Sequence, residues 1–171
     1  MASLVTKRFA NFITFLNIMF GSTAILYTIN GNYKLAALLI LAAVVMDGLD
    51  GRVARRLQTS SDLGKELDSL CDIVSFGVAP AVLLYSQVLA GNYGFIGLAV
   101  FLIFIICGAY RLARFNVLNV SDYFLGLPIT IAGGLLALLS LLVAYMHPLI
   151  ILLVILALSL FMISSVRFPK I

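Results

Sequence analysis

The chain has 171 residues, 63% of them hydrophobic and 11% charged, with a formal net charge of +4 and a mean hydropathy of +1.17. That balance excludes a soluble globular domain and a disordered chain, and predicts one integral membrane domain over residues 1–171. The basic residues form no run interleaved with aromatics, so they read as topology and attraction to anionic lipid, with no nucleic acid as partner.

Spanning a bilayer as a helix takes about 17–25 predominantly apolar residues, and six such stretches are predicted. Residues 1–9 read as a short interfacial segment with Lys7 and Arg8 at the head groups. They lack the apolar core and small-residue cleavage site of a signal peptide. The first span covers 10–29, and Asn30-Gly31-Asn32 turns the chain into the second, 33–57. The third covers 63–89 and joins the fourth, 93–114, through Ala90-Gly91-Asn92-Tyr93-Gly94. The fifth covers 124–145 and the sixth 147–166, with the single histidine, His147, as a solvated residue of their short connection. Turns this short force antiparallel neighbours. With the N-terminus in the cytoplasm, ten of the eleven basic residues fall inside and only Lys34 falls outside, as lysine and arginine near span ends are retained on that face. The predicted class is therefore all-α, multi-pass in the cell membrane, with six transmembrane helices and both termini cytoplasmic. Gly133, Gly134 and the small residues around Gly108 permit close helix packing. Cys71 and Cys107 lie toward cytoplasmic span ends, where no structural disulfide is expected, and Cys71, beside the acidic stretch, reads as a small packing residue.

Six of the seven carboxylates lie between Asp47 and Asp72. Asp47 and Asp50 are spaced i, i+3 and Asp68 and Asp72 i, i+4, so each pair shares a helix face. One aspartate at mid-membrane costs about 2.5–3.5 kcal/mol, and four that face one another require cations. Aspartates without histidine or cysteine suit hard divalent ions, Mg²⁺ or Mn²⁺, and two ions form the clamp that displacement at phosphorus uses. Gly51, Ala54 and Gly64 are small enough for a phosphate or nucleotide to reach the helix backbone. Arg55 can donate twice to phosphate, and Ser61, between the acidic helices, can add a hydroxyl. Asp62 reads as a helix cap, and Glu66 lies off the face of Asp68 and Asp72. A divalent-cation transporter would also place carboxylates in a membrane, but here they gather at one face and no polar path continues outward.

Asp47, Asp50, Gly51, Ala54, Arg55, Gly64, Asp68 and Asp72 fit the pattern D-x2-D-G-x2-A-R-x8-G-x3-D-x3-D at every fixed position. On these residues the chain resembles the CDP-alcohol phosphatidyltransferases. The resemblance implies a six-helix, homodimeric membrane enzyme that moves a phosphatidyl group from a CDP-linked lipid to an alcohol and releases CMP, its active site facing the cytoplasm. It further implies that the four aspartates hold two divalent ions, that Asp72 also serves as base, and that Gly51, Ala54, Arg55, Ser61 and Gly64 contact the CDP-lipid. Residues 69–80, 107–116 and 124–129, with the terminal Arg167-Phe168-Pro169-Lys170, are similar to the serine-using branch, which implies CDP-diacylglycerol and L-serine as substrates. One departure is Ala10-Asn11, where Pro-Asn is common. Arg111 and Arg114, with Asn116, are the candidate serine-binding residues, because a guanidinium suits a carboxylate. A sister enzyme using glycerol 3-phosphate or inositol phosphate is the alternative.

Overall fold

The computed structural model describes residues 2–57, 62–118, 123–165 and 167–169. Helix α1 runs Ala2–Ile29, straight through the segment expected to be interfacial, and at 28 residues it is about 42 Å long. It ends where Gly31 takes φ +75°, a left-handed position open to a residue without Cβ. The amides of Asn30, Gly31 and Asn32 donate to the carbonyls of Leu26, Thr28 and Tyr27 at 3.1, 3.0 and 2.9 Å. The Asn32 side-chain oxygen then accepts from the Leu35 amide at 3.3 Å, capping α2, Tyr33–Leu57. Three residues thus make the whole connection, and α1 packs along α2.

Helix α3, Asp62–Asp72, passes directly into a π-helical turn, Ile73–Val78, then α4, Ala79–Leu84, a second π-helical turn, Tyr85–Leu89, and α5, Ala90–Leu118. The expected loop at 90–94 is instead helical up to one break, Gly94, at φ +47° and ψ −117°. The chain reverses there, and Tyr85–Leu89 lies against α5. The reversal is tight: a Cβ on Gly97 would sit 2.8 Å from the Leu89 carbonyl oxygen.

The expected all-α class holds, apart from one short pair of strands. Strand β1, Tyr123–Leu125, pairs antiparallel with β2, Arg167–Pro169, in the register Tyr123 with Pro169, Phe124 with Phe168 and Leu125 with Arg167. The fifth expected span therefore does not begin at 124. Gly126 at φ +73° and Pro128 at ψ 138° hold the backbone out of helix, so α6 is Ile129–Leu142, followed by a 3-10 turn, Val143–Tyr145. Helix α7, Pro148–Ile163, stops three residues short of the expected 166 because Ser164 is extended at ψ 157°.

Phe76, in the first π-helical turn, is fully buried among Phe104, Ile129, Leu136 and Ile151. Gly133 makes this possible, as a Cβ there would lie 2.8 Å from the Phe76 Cα, and Gly108 likewise admits the Ile129 side chain. Outward the surface is apolar: Met19, Leu26, Ile106, Ile131 and Leu160 are exposed. A water-soluble protein rarely presents so continuous an apolar exterior. Among the described residues one helical run, Leu63–Val117, is long and apolar enough to cross a membrane, beside the shorter apolar helices Thr14–Ile29, Ile129–Tyr145 and Pro148–Ile163.

Candidate metal and active site

Helices α2 and α3 place three carboxylates together. One oxygen each from Asp47, Asp68 and Asp72 lies within 4.8 Å of the others, with Asp47 and Asp68 half-buried and Asp72 buried. The i, i+4 spacing aligns Asp68 and Asp72 on one face of α3, and α1, which packs against both α2 and α3, brings Asp47 of α2 to them. Three like charges this close repel one another unless a cation lies among them. An all-carboxylate set is also the hard-oxygen environment that Mg²⁺ or Mn²⁺ takes. Mg–O distances of about 2.0–2.1 Å put opposite ligands of one ion up to ~4.2 Å apart, in keeping with the observed spread. The residues present fit a divalent ion.

Asp50 lies on α2 one turn beyond Asp47, as do Gly51, Ala54 and Arg55 further along, but the side chains from 50 to 57 lie outside the described residues. Ser61 lies outside them altogether. Gly64 is half-buried in the first turn of α3. Glu66 is exposed and accepts from Asn116 Nδ2 at 3.4 Å, apart from the three aspartates.

Asp72 is enclosed from two sides. Asn17 of α1, 2% exposed, donates from Nδ2 to Asp72 Oδ1 at 3.3 Å. Arg111 of α5, 6% exposed, interacts through its charge with Asp72 and Asp47 and stacks its guanidinium 5.4 Å from the centre of the Phe115 ring. The first π-helical turn starts at the residue after Asp72 and is bound to α1 by Ser75, whose hydroxyl donates to the Asn17 carbonyl at 3.0 Å. Such turns recur at functional sites because they re-aim side chains within a helix.

The three candidate serine-binding residues do not sit alike. Arg114 donates to the Ile163 and Ser164 carbonyls at the end of α7. Asn116 is bonded to Ser69 at 3.1 Å as well as to Glu66, joining α5 to α3. Of the three, Arg111 is the buried one, near enough for its charge to act on Asp72 and Asp47. Cys71 and Cys107 are buried free thiols, as expected of cysteines that form no disulfide. His147, exposed as expected, also caps α7, its Nδ1 accepting from the Leu149 amide at 3.2 Å.

Sequence reasoning passed over Asn17. The available signal was a lone amide within an apolar stretch, Phe15-Leu16-Asn17-Ile18-Met19-Phe20.

Comparison with known proteins gives a concordant result. The family model for CDP-alcohol phosphatidyltransferases matches residues 7–164. A CDP-diacylglycerol–serine O-phosphatidyltransferase of Helicobacter pylori is 42% identical over 171 aligned residues, covering 95% of this chain and 72% of the relative. The protein of the same name from Bacillus subtilis is 39% identical, covering 92% of this chain and 87% of its own length. An archaetidylserine synthase of Methanothermobacter thermautotrophicus is 38% identical, covering 93% and 68%.

Proposed function

The chain belongs to the CDP-alcohol phosphatidyltransferase family, and from that premise we propose that it transfers the phosphatidyl group of CDP-diacylglycerol to the hydroxyl of L-serine, giving phosphatidylserine and CMP. The observation that carries this reading is the group of Asp47, Asp68 and Asp72 in a chain whose similar relatives are named for serine as acceptor. The third relative's name pairs serine with a different lipid, so the names agree on the acceptor and differ on the lipid.

Asp50 joins Asp47, Asp68 and Asp72 to hold two divalent ions, Mg²⁺ or Mn²⁺. When bound, such ions offset phosphate charge and stabilise the oxygens entering and leaving phosphorus. The chain's own residues do the rest. Gly51, Ala54 and Gly64 let the CDP moiety lie against the helix backbone, and Arg55 and Ser61 donate to its phosphates. Asp72 accepts the proton of the serine hydroxyl. The hydroxyl oxygen forms its bond to the phosphorus that carries diacylglycerol, and the bond from that phosphorus to the CMP oxygen breaks, its electron pair leaving with CMP. Arg111 holds the serine carboxylate. The Arg114 fork is engaged by α7, so in this reading the expected arginine pair narrows to one, and Asn116 braces α3 on α5.

The reading includes six membrane spans with both termini in the cytoplasm, supported by the ten-to-one placement of basic residues and by the exposed apolar side chains. In it the active site opens to the cytoplasm, the acyl chains lie in the surrounding lipid, and two copies associate. CMP release by purified protein supplied with CDP-diacylglycerol and Mg²⁺ or Mn²⁺ tests it. Release should depend on L-serine. Release with glycerol 3-phosphate or inositol phosphate in its place would assign a sister activity, and divalent-ion flux into liposomes without CMP release would point to a transporter.

A further inference from the structure

Among the described residues, two buried side-chain polar atoms have no hydrogen-bond partner: Asn17 Oδ1 and Arg111 Nε. Buried polar atoms in native structures are nearly always satisfied, so an orphan calls for an explanation. Both orphans belong to the residues that flank Asp72, Asn17 by hydrogen bond and Arg111 by charge. They are of opposite kind. Arg111 Nε is a donor, and Asn17 Oδ1 is an acceptor whose orientation is fixed because the amide's other end donates to a carboxylate.

Asn17 is also held rigidly. Its backbone carbonyl accepts from Ser75 Oγ, and one turn further along α1 a Cβ on Gly21 would come within 2.6 Å of the Ser75 Cα. A buried amide fixed this way cannot swing to find a partner of its own. What fits a lone acceptor beside a base and an unsatisfied guanidinium donor is a small zwitterion, with an ammonium for the acceptor, a carboxylate for the guanidinium and a hydroxyl for Asp72.

We infer that Asn17 is a specificity-determining residue for the acceptor: Oδ1 receives a hydrogen bond from the α-ammonium of serine while Nδ2 holds Asp72 toward the serine hydroxyl. This rests on the serine-transferase reading and adds to it the group that distinguishes an amino acid from other small alcohols. No bond is made or broken at Asn17.

The test compares two acceptors in purified protein, L-serine and 3-hydroxypropionate, which keeps the hydroxyl and carboxylate but lacks the amine. Asn17→Leu removes both polar ends at similar size. The preference for serine over 3-hydroxypropionate should fall about ten- to hundredfold, the range for losing a hydrogen bond to a charged group. Half-saturating serine should rise by a similar factor, with half-saturating CDP-diacylglycerol unchanged. Asn17→Asp keeps an oxygen acceptor and drops the donor to Asp72, so it should retain the preference for serine while turning over more slowly. Asn17→Ala gives the same comparison if the Leu variant does not fold. An equal loss on both acceptors in Asn17→Leu or Asn17→Ala, with the preference intact, would overturn the inference and leave Asn17 as a packing or Asp72-positioning residue. Wild-type protein that releases no CMP with serine would instead fail the underlying reading.

Discussion

Arg114 of α5 donates from both terminal nitrogens to the end of α7, to the Ile163 carbonyl at 3.1 Å and the Ser164 carbonyl at 3.0 Å. These are carbonyls that a helix C-terminus leaves without internal partners, and a cation there also opposes the negative end of the helix. Arg114→Ala should therefore lower stability by about 1.5–3 kcal/mol, the range for charge-assisted hydrogen bonds, read as a reduced thermal unfolding midpoint in detergent. Half-saturating serine measured on the folded fraction should stay within about twofold, a difference under ~0.5 kcal/mol.

Arg111 should behave in the opposite way. Arg111→Lys keeps a charge but removes the planar two-donor fork, so half-saturating serine should rise roughly ten- to hundredfold, equivalent to about 1.5–3 kcal/mol. CDP-diacylglycerol dependence should hardly change. Serinol, which lacks the carboxylate, is the control: a poor acceptor for the wild type, it should become no poorer in the variant. An unchanged serine dependence would return Arg111 to a topological role.

Gly21→Ala tests how closely α1 must approach the π-helical turn. The added methyl would fall 2.6 Å from the Ser75 Cα, and the obstacle is backbone as well as side chain. Relief means moving α1, so destabilisation of about 1–3 kcal/mol is expected. Turnover should drop as well, because Asn17 moves with the helix away from Asp72. Normal stability with normal turnover would mean that the α1 contact does not position the site.

Removal of divalent ions by chelation should abolish CMP release, and adding back Mg²⁺ or Mn²⁺ should restore it, because hard oxygen ligands favour these ions. Binding can be followed independently of activity by titrating Mn²⁺ and recording its paramagnetic resonance. Asp68→Asn should weaken that binding, whereas Arg114→Ala should leave it unaltered.

The Asp68–Asp72 pair was legible in the sequence because its signal is local: a spacing of four fixes a helix face without knowledge of the tertiary fold, whereas the approach of Asp47 from α2 depends on helix packing. The turn at Gly31 was equally readable, since Asn-Gly-Asn between two apolar runs is turn chemistry. What stayed hidden depends on contacts between distant segments. Asn17 meets Asp72 across 55 residues, and no local pattern says which neighbour a lone amide faces. Arg111 and Arg114 are one turn apart on α5, and only the position of α7 separates their roles. The strand pair was missed because Tyr123-Phe124-Leu125 is as apolar as the helix after it, and its partner lies more than 40 residues away.

The central claim is that the carboxylate group performs serine-dependent phosphatidyl transfer, and serine-dependent CMP release by Asp68→Asn protein tests it most directly. The substitution keeps size while replacing one of the charges grouped within 4.8 Å by a neutral amide. The account predicts release below about a hundredth of wild type, a loss of roughly 2.7 kcal/mol or more of transition-state stabilisation, in protein that still inserts and folds. Activity above about a tenth of wild type, a loss under ~1.4 kcal/mol, would contradict it.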